Sequence, residues 1–260
     1  MTDVSLPAGR FTQGDFRVGQ VFNQAWGVFS RNLLKFIVVT GIASLPPLFV
    51  KQPQLGGPPP VDPFQNLGWT FFAAFLGIVL NTLAQAMVFN GAFEVMRGRP
   101  VDLAASAKVG LRRFFPVVGI AIVVSLLVGL GMLLLAFPGI MLYTMWFVAT
   151  PVCVVERAGV FHSMGRSREL TKGYRWKIFG LYLVVLIPAI LIGGGMSAVI
   201  LSGGAAAVNQ VLASTIGKIA NLVWSALWTA FFAIIVAVAY HDLRVAKEGV
   251  DTDQIASVFE

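Results

Sequence analysis

From Phe114 to Val155 the chain runs for 42 residues without a charged side chain. A helix crosses a bilayer in about 20 apolar residues, so this run is too long for one crossing and the right length for two. Backbone in lipid must satisfy its own hydrogen bonds, which restricts a span to a helix or a closed barrel. The run is rich in Leu, Val and Ala and does not alternate with a period of two, so it reads as helix. Its turn is expected near Phe137-Pro138-Gly139, where proline and glycine end helices. The rest of the chain agrees. It is 57% hydrophobic and 12% charged, with a mean hydropathy of +0.80. A water-exposed surface calls for roughly 25% charged residues.

The expected fold is an all-α integral membrane protein of six transmembrane helices in three hairpins. Residues 1–32 form a cytoplasmic amphipathic segment, 33–241 hold the spans, and 242–260 form a cytoplasmic tail. The first span runs from Leu33 to Val50 and the second from Leu67 to Met96. The second exceeds a bilayer and should tilt. Phe114–Val155 supplies two more. The fifth begins near Ile178 and ends at Gly193-Gly194-Gly195. The sixth enters through GGAAAVNQVLAS, whose small residues suit close helix approach, and ends near Tyr240. The first thirty residues carry Arg10 and Arg17 without an uninterrupted apolar core, so they do not read as a cleaved signal peptide.

Of the 19 Lys and Arg residues, all but Lys51 and Lys218 lie in the N-terminal segment through Lys35, the loops after the second and fourth spans, or the tail. The positive-inside rule therefore places both termini and both basic loops in the cytoplasm.

Three basic openings each precede a hairpin: VGQVFNQAWGVFSRNLLKF, DLAASAKVGLRRFFPVV and GVFHSMGRSRELTKGYRWKIF. In the first, Val18, Val21, Phe22, Ala25, Trp26, Phe29 and Leu33 form one apolar stripe at helical spacing. Such a helix lies in the membrane interface or packs on the bundle's rim. The return spans close alike, with Glu94 before Arg97, Glu156 before Arg157 and Asp242 before Arg244. This suggests a threefold internal repeat whose acidic residues form a ring or interface ion pairs. Hydropathy alone also produces similar hairpins, so that alternative stays open.

PGIMLYTMWFVATPVCVVERAG, SMGRSRELTKGYRWKIFGL, AYHDLRVAKEG and FRVGQVFNQAWGVFSRN together resemble the membrane domain attached to some bacterial glycerophosphoryl diester phosphodiesterases, and its stand-alone relatives. The resemblance covers most of the chain. RSRELTKG and Tyr240-His241-Asp242-Leu243-Arg244 are its most specific parts. It implies a polytopic bacterial inner-membrane protein and little chemistry. The phosphodiesterase domain itself, a barrel of about 250 residues, has no counterpart here, so its activity is not carried over.

Catalysis needs a nucleophile with a base, a carboxylate pair or a metal cluster. The histidines are two, His162 and His241, without metal-ligand spacing. No phosphate-cradling glycine motif occurs. The lone Cys153 excludes an internal disulfide and reads as a small buried side chain. The Gly193 triplet reads as a helix end, and Asp251-Thr252-Asp253 as a solvated turn. No catalytic residue, metal or cofactor is expected. Asn81, Gln85 and Asn90 form a polar seam on the second span, whose commoner use is interhelical hydrogen bonding. Glu94 is the most membrane-embedded carboxylate, with Arg97 or an arginine of the next repeat as its partner.

The basic loops carry the functional reading. Near an anionic leaflet each Lys or Arg contributes about 1 kcal/mol. Arg166, Arg168, Lys172, Arg175, Lys177, Arg112 and Arg113 are the lipid- or anion-binding candidates. If the helix continues through Gly173, Arg168, Lys172 and Arg175 share one face, while Arg166 and Lys172 flank Glu169. Tyr174 and Trp176 then sit at headgroup level. The expected function is a non-enzymatic inner-membrane protein that binds anionic lipid at its cytoplasmic rim, in membrane homeostasis or as an accessory scaffold. The alternatives are a small channel or transporter, and a lipid-modifying enzyme built on Glu94, Glu156, His241 and Asp242. The expected partners are membrane lipids with anionic headgroups, with a second copy or another membrane protein as further options. Nucleic acid is not expected, because the basic residues hug the spans.

Overall fold

A computed structural model describes residues 16–46, 67–204, 210–211 and 214–248. Among these, every regular element is helical: α1 (Val18–Arg31), α2 (Leu33–Ala43), α3 (Leu67–Met96), α4 (Leu103–Leu134), α5 (Ala136–Met145), α6 (Ala149–Val155), α7 (Val160–Thr171), α8 (Arg175–Ser202) and α9 (Thr215–Glu248).

Among the described residues, four stretches are long and apolar enough to cross a membrane: Phe71–Met96, Leu103–Leu134, Phe137–Val155 and Thr215–Glu248. A fifth exists if α7 and the first part of α8, bent by 96°, count as one. The sequence predicts six. The first of these is reduced to α2, 11 residues long, and positions 47–50 lie outside the described residues. Most of GGAAAVNQVLAS and the element Asp251-Thr252-Asp253 also lie outside them.

The 42-residue run folds as a hairpin, α4 against α5 and α6. Its break comes at Leu135, which is extended (φ −162°, ψ 137°), two residues before the expected turn. Pro138 then falls in the first turn of α5, where its missing N–H leaves no bond unmade. Gly131 and Gly139 face each other across this turn; a Cβ on Gly131 would stand 3.0 Å from the Gly139 Cα. The glycine triplet does not end α8, which continues to Ser202 through both Pro188 and the glycines. In lipid no water replaces a broken helical bond, so the helix holds where an aqueous one would end.

The bundle is organised around α9. Every residue from Ala233 to Tyr240 is buried, as expected of a helix that is apolar all round. It packs against α1, α2, α3, α6 and α7. Burial from lipid gives no hydrophobic gain, so close packing carries the association. Ala226, Ala230, Ala233, Ala237 and Ala239 permit it, and Thr40 Oγ1 of α2 donates to the Ala226 carbonyl at 2.9 Å. The apolar stripe of α1 closes on the same helix. Phe22, Trp26 and Phe29 surround Phe231 with ring centroids 5.3–5.9 Å away. Of the two placements open to α1, the structure takes packing on the bundle.

Candidate functional site: a charged clasp and a basic elbow

α5 and α6 are parts of one crossing, kinked at Trp146–Val148. At the kink the Ala149 N–H donates to the Trp146 carbonyl at 3.0 Å, which withdraws it from the Met145 carbonyl one turn back. Two hydroxyls of α7 replace it: Ser167 Oγ at 2.9 Å and Thr171 Oγ1 at 3.1 Å from the Met145 oxygen. The RSRELT motif is thus two-sided. Ser167, Leu170 and Thr171 are buried, while Arg168 and Glu169 are exposed. Replacing Thr171 with Val keeps the shape and removes a hydroxyl, and should cost about 1–2 kcal/mol. Thermal unfolding in detergent measures it; an unchanged midpoint would mean the kink needs no latch.

Arg166 turns toward the bundle end. Its Nε lies 3.3 Å from Glu156, which follows α6, and its Nη1 lies 3.7 Å from Glu169 of α7. Its Nη2 pairs with Glu248, in the last turn of α9. Arg244 Nε donates to Glu248 at 2.9 Å, and the Tyr240 hydroxyl donates to Glu156 at 2.9 Å. Arg166, Glu156 and Glu248 are each only 19–25% exposed. One guanidinium therefore ties three chain segments together. The Tyr240 ring also meets Phe93 of α3, centroids 5.8 Å apart, so the ends of all three return helices gather near it.

The acid and the arginine that follow each other at the close of each return span do not pair with one another. Glu156 pairs with Arg166, and Arg244 with Glu248 rather than Asp242. Asp242 lies beside its neighbour His241, Oδ1 to Nδ1 3.4 Å. Glu94 and Arg97 form no ion pair among the described residues; the Arg97 N–H caps the Phe93 and Glu94 carbonyls instead. The polar seam divides. Gln85 donates to Asn81 at 2.6 Å within α3, and Asn90 donates to Ser106 of α4 at 3.0 Å, an interhelical bond.

The shared face of Arg168, Lys172 and Arg175 does not exist. α7 ends at Thr171, Lys172 is extended, and Gly173 is left-handed (φ 91°). A helix cannot pass through that geometry, so α8 starts afresh at Arg175, 96° away. Arg168 and Lys172 are exposed and make no ion pair among the described residues. Arg112 is exposed, whereas Arg113 donates to the Arg157 carbonyl at 3.2 Å. Lys177 of α8 and Lys247 of α9 both sit over the Tyr174 ring, 5.6 and 5.7 Å from its centroid. Charge patterning alone does not single out Lys247, Glu248 or Tyr240. Glu248 lies four residues after Arg244 on a helical face, a spacing that signals such a pair.

A family model described as a domain of unknown function (DUF7847) matches residues 95–243. That stretch runs from the end of α3 to Leu243 and holds Glu156, Arg166 and Tyr240 of the clasp, while Lys247 and Glu248 fall just beyond it. No curated protein and no solved structure matches the chain.

Proposed function

This chain belongs to the DUF7847 family, and we propose that it is a non-enzymatic, multi-pass membrane protein whose basic end binds anionic lipid headgroups. The observation that carries this reading is the 96° elbow between α7 and α8. If α8 stands across the membrane, α7 lies along its surface. Arg168 and Lys172 are then presented beside Phe161 and Trp176, which are 80% and 75% exposed. Apolar anchors next to exposed cations form the arrangement by which proteins hold an anionic interface. The same reading takes the membrane to be a bacterial inner membrane, with both termini and the basic loops on the cytoplasmic face. It keeps six spans in three hairpins, a threefold repeat, and kinship with the phosphodiesterase-attached membrane domains as its working frame.

A channel draws less support. Ile234, Ile235 and Val238 fill the bundle centre at zero exposure, and the α3 amides bond to protein partners. An enzyme built on Glu94, Glu156, His241 and Asp242 needs those groups to converge. Glu156 is held instead by Arg166 and Tyr240. Among the described residues no three His, Cys, Asp or Glu side chains group to hold a metal ion.

Native mass spectrometry from mixed micelles tests the proposal. The protein should retain phosphatidylglycerol over phosphatidylcholine, and the double variant Arg168→Ala/Lys172→Ala should lose roughly 2 kcal/mol of that preference. Equal retention of the two lipids would overturn it.

A further inference from the structure

Two arginines bracket the long uncharged run. Arg113 is the last charged residue before it, and Arg157 is the first basic residue after it. The hairpin of α4, α5 and α6 brings both back to one end, where Arg113 Nη1 donates to the Arg157 carbonyl at 3.2 Å. The apolar part of α4, Phe114–Leu134, has about the length that a bilayer core requires, so the lipid-binding reading sets this pair at the level of the headgroup phosphates. Arg157 is also the one non-glycine residue with a left-handed backbone among the described residues (φ 55°). Glycine takes that geometry freely, whereas a Cβ is crowded by the following carbonyl. The Arg157 side chain does nothing inside the fold to offset this. It is exposed and makes no hydrogen bond or ion pair among the described residues. Its neighbour Glu156 is held by Arg166 and Tyr240. Arg113 spends one of its five donors on the carbonyl, and no carboxylate pairs with it among the described residues. A strained residue whose side chain has no role within the chain points to a partner outside it. That side chain leaves from the Cα bonded to the very carbonyl that Arg113 holds, so the Arg113 guanidinium lies beside its root.

We propose that Arg113 and Arg157 form a site for one phosphate group, at the corner where α4 meets the loop between α6 and α7. Each guanidinium offers a planar fork of donors to an oxyanion. A phosphomonoester, with a charge of about −1.5 to −2 at pH 7, matches two such groups better than the single charge of a phosphodiester. The proposal rests on the lipid-binding reading and narrows it. General anionic preference depends on Arg168 and Lys172 at the elbow, whereas retention of one phosphomonoester depends on this pair.

The test is native mass spectrometry of the full chain with dioctanoyl phosphatidic acid, with and without inorganic phosphate as competitor, beside thermal unfolding in the same detergent. The wild-type chain should retain one phosphatidic acid. Arg157→Gly should weaken that retention about tenfold and leave the unfolding midpoint unchanged or raised, because glycine relieves the left-handed strain. Arg113→Gln should weaken it as well, but it also strips the Arg157 carbonyl of its donor, so Arg157→Gly carries the decision. Arg112→Gln, at an exposed neighbouring position, should leave the lipid in place. Displacement by inorganic phosphate would assign the site to a soluble phosphate; no displacement would assign it to a lipid headgroup. A midpoint that falls together with retention in Arg157→Gly would make Arg157 a structural residue and overturn the site. Unchanged retention in Arg157→Gly, in a protein whose phosphatidylglycerol preference still depends on Arg168 and Lys172, overturns the site and spares the broader reading. Absence of any anionic preference in the wild-type chain overturns both.

Discussion

Arg166→Ala should be the most damaging charge deletion at this end of the bundle, lowering stability by about 2–4 kcal/mol. The cost does not come mainly from lost attraction. It comes from Glu156 and Glu248, which stay behind with about three-quarters or more of each side chain covered. Removing one partner of a fully buried pair costs about 3–5 kcal/mol, because the other charge is stranded. Residual exposure here lets water offset part of that. Tyr240 still donates to Glu156, and Arg244 to Glu248, so neither carboxylate is wholly orphaned. Arg166→Lys should recover little, since an ammonium cannot span three carboxylates as a planar fork does. Adding Glu156→Gln and Glu248→Gln to Arg166→Ala should restore most of the loss by neutralising what was stranded. Thermal unfolding in detergent compares the series. A shift in Arg166→Ala no larger than that of exposed Arg112→Ala would show that the clasp bears no weight.

The clasp explains why the site is only partly legible in the sequence. Charge counting locates the right segment, because a basic loop next to an uncharged run is visible without coordinates. It cannot divide that segment. Arg166 and Arg168 are two residues apart and look alike, yet one is locked to α9 and the other is exposed. What separates them is Glu248, 82 positions away from Arg166 along the chain, and sequence reading pairs near neighbours. The inward face of RSRELT is in principle readable: Ser167 and Thr171 stand four apart and so share one helical face. Their acceptor is not, because the Met145 carbonyl is released only by the kink at Trp146–Val148. Glycine misleads in both directions. Gly173 reads as part of a continuing helix and is a sharp left-handed turn, while the Gly193 triplet reads as a stop and is helical. The environment decides between these outcomes: water can take over the backbone bonds at the elbow, and lipid cannot do so inside α8.

Gly139→Val should disrupt the α4–α5 hairpin, and Gly139→Ala should already cost about 1–3 kcal/mol through overpacking. A Cβ on Gly139 would stand 2.7 Å from the Met132 backbone nitrogen and 2.6 Å from the Met132 sulfur. The thioether can rotate away, but the backbone nitrogen can retreat only if the two helices separate. Separation undoes more than one contact. Gly131 meets Gly139 from the other helix, and Leu142 packs on Gly131 within the same hairpin. That hairpin also positions the kink whose carbonyl anchors α7, so damage at the apolar end should reach the basic elbow. Gly129→Ala supplies the control. It lies in the same helix two residues before Gly131, and a Cβ there meets nothing within 4 Å. Because alanine is the better helix former, Gly129→Ala should be neutral or stabilising by up to about 1 kcal/mol. Unfolding midpoints for the two alanine variants, measured in the same detergent, separate a steric effect from a general response to altering α4 or α5. Equal midpoints would mean that the hairpin is looser than its paired glycines require. A drop confined to Gly139→Ala, accompanied by weaker phosphatidylglycerol retention, would tie the tight turn at one end of the bundle to the basic elbow at the other.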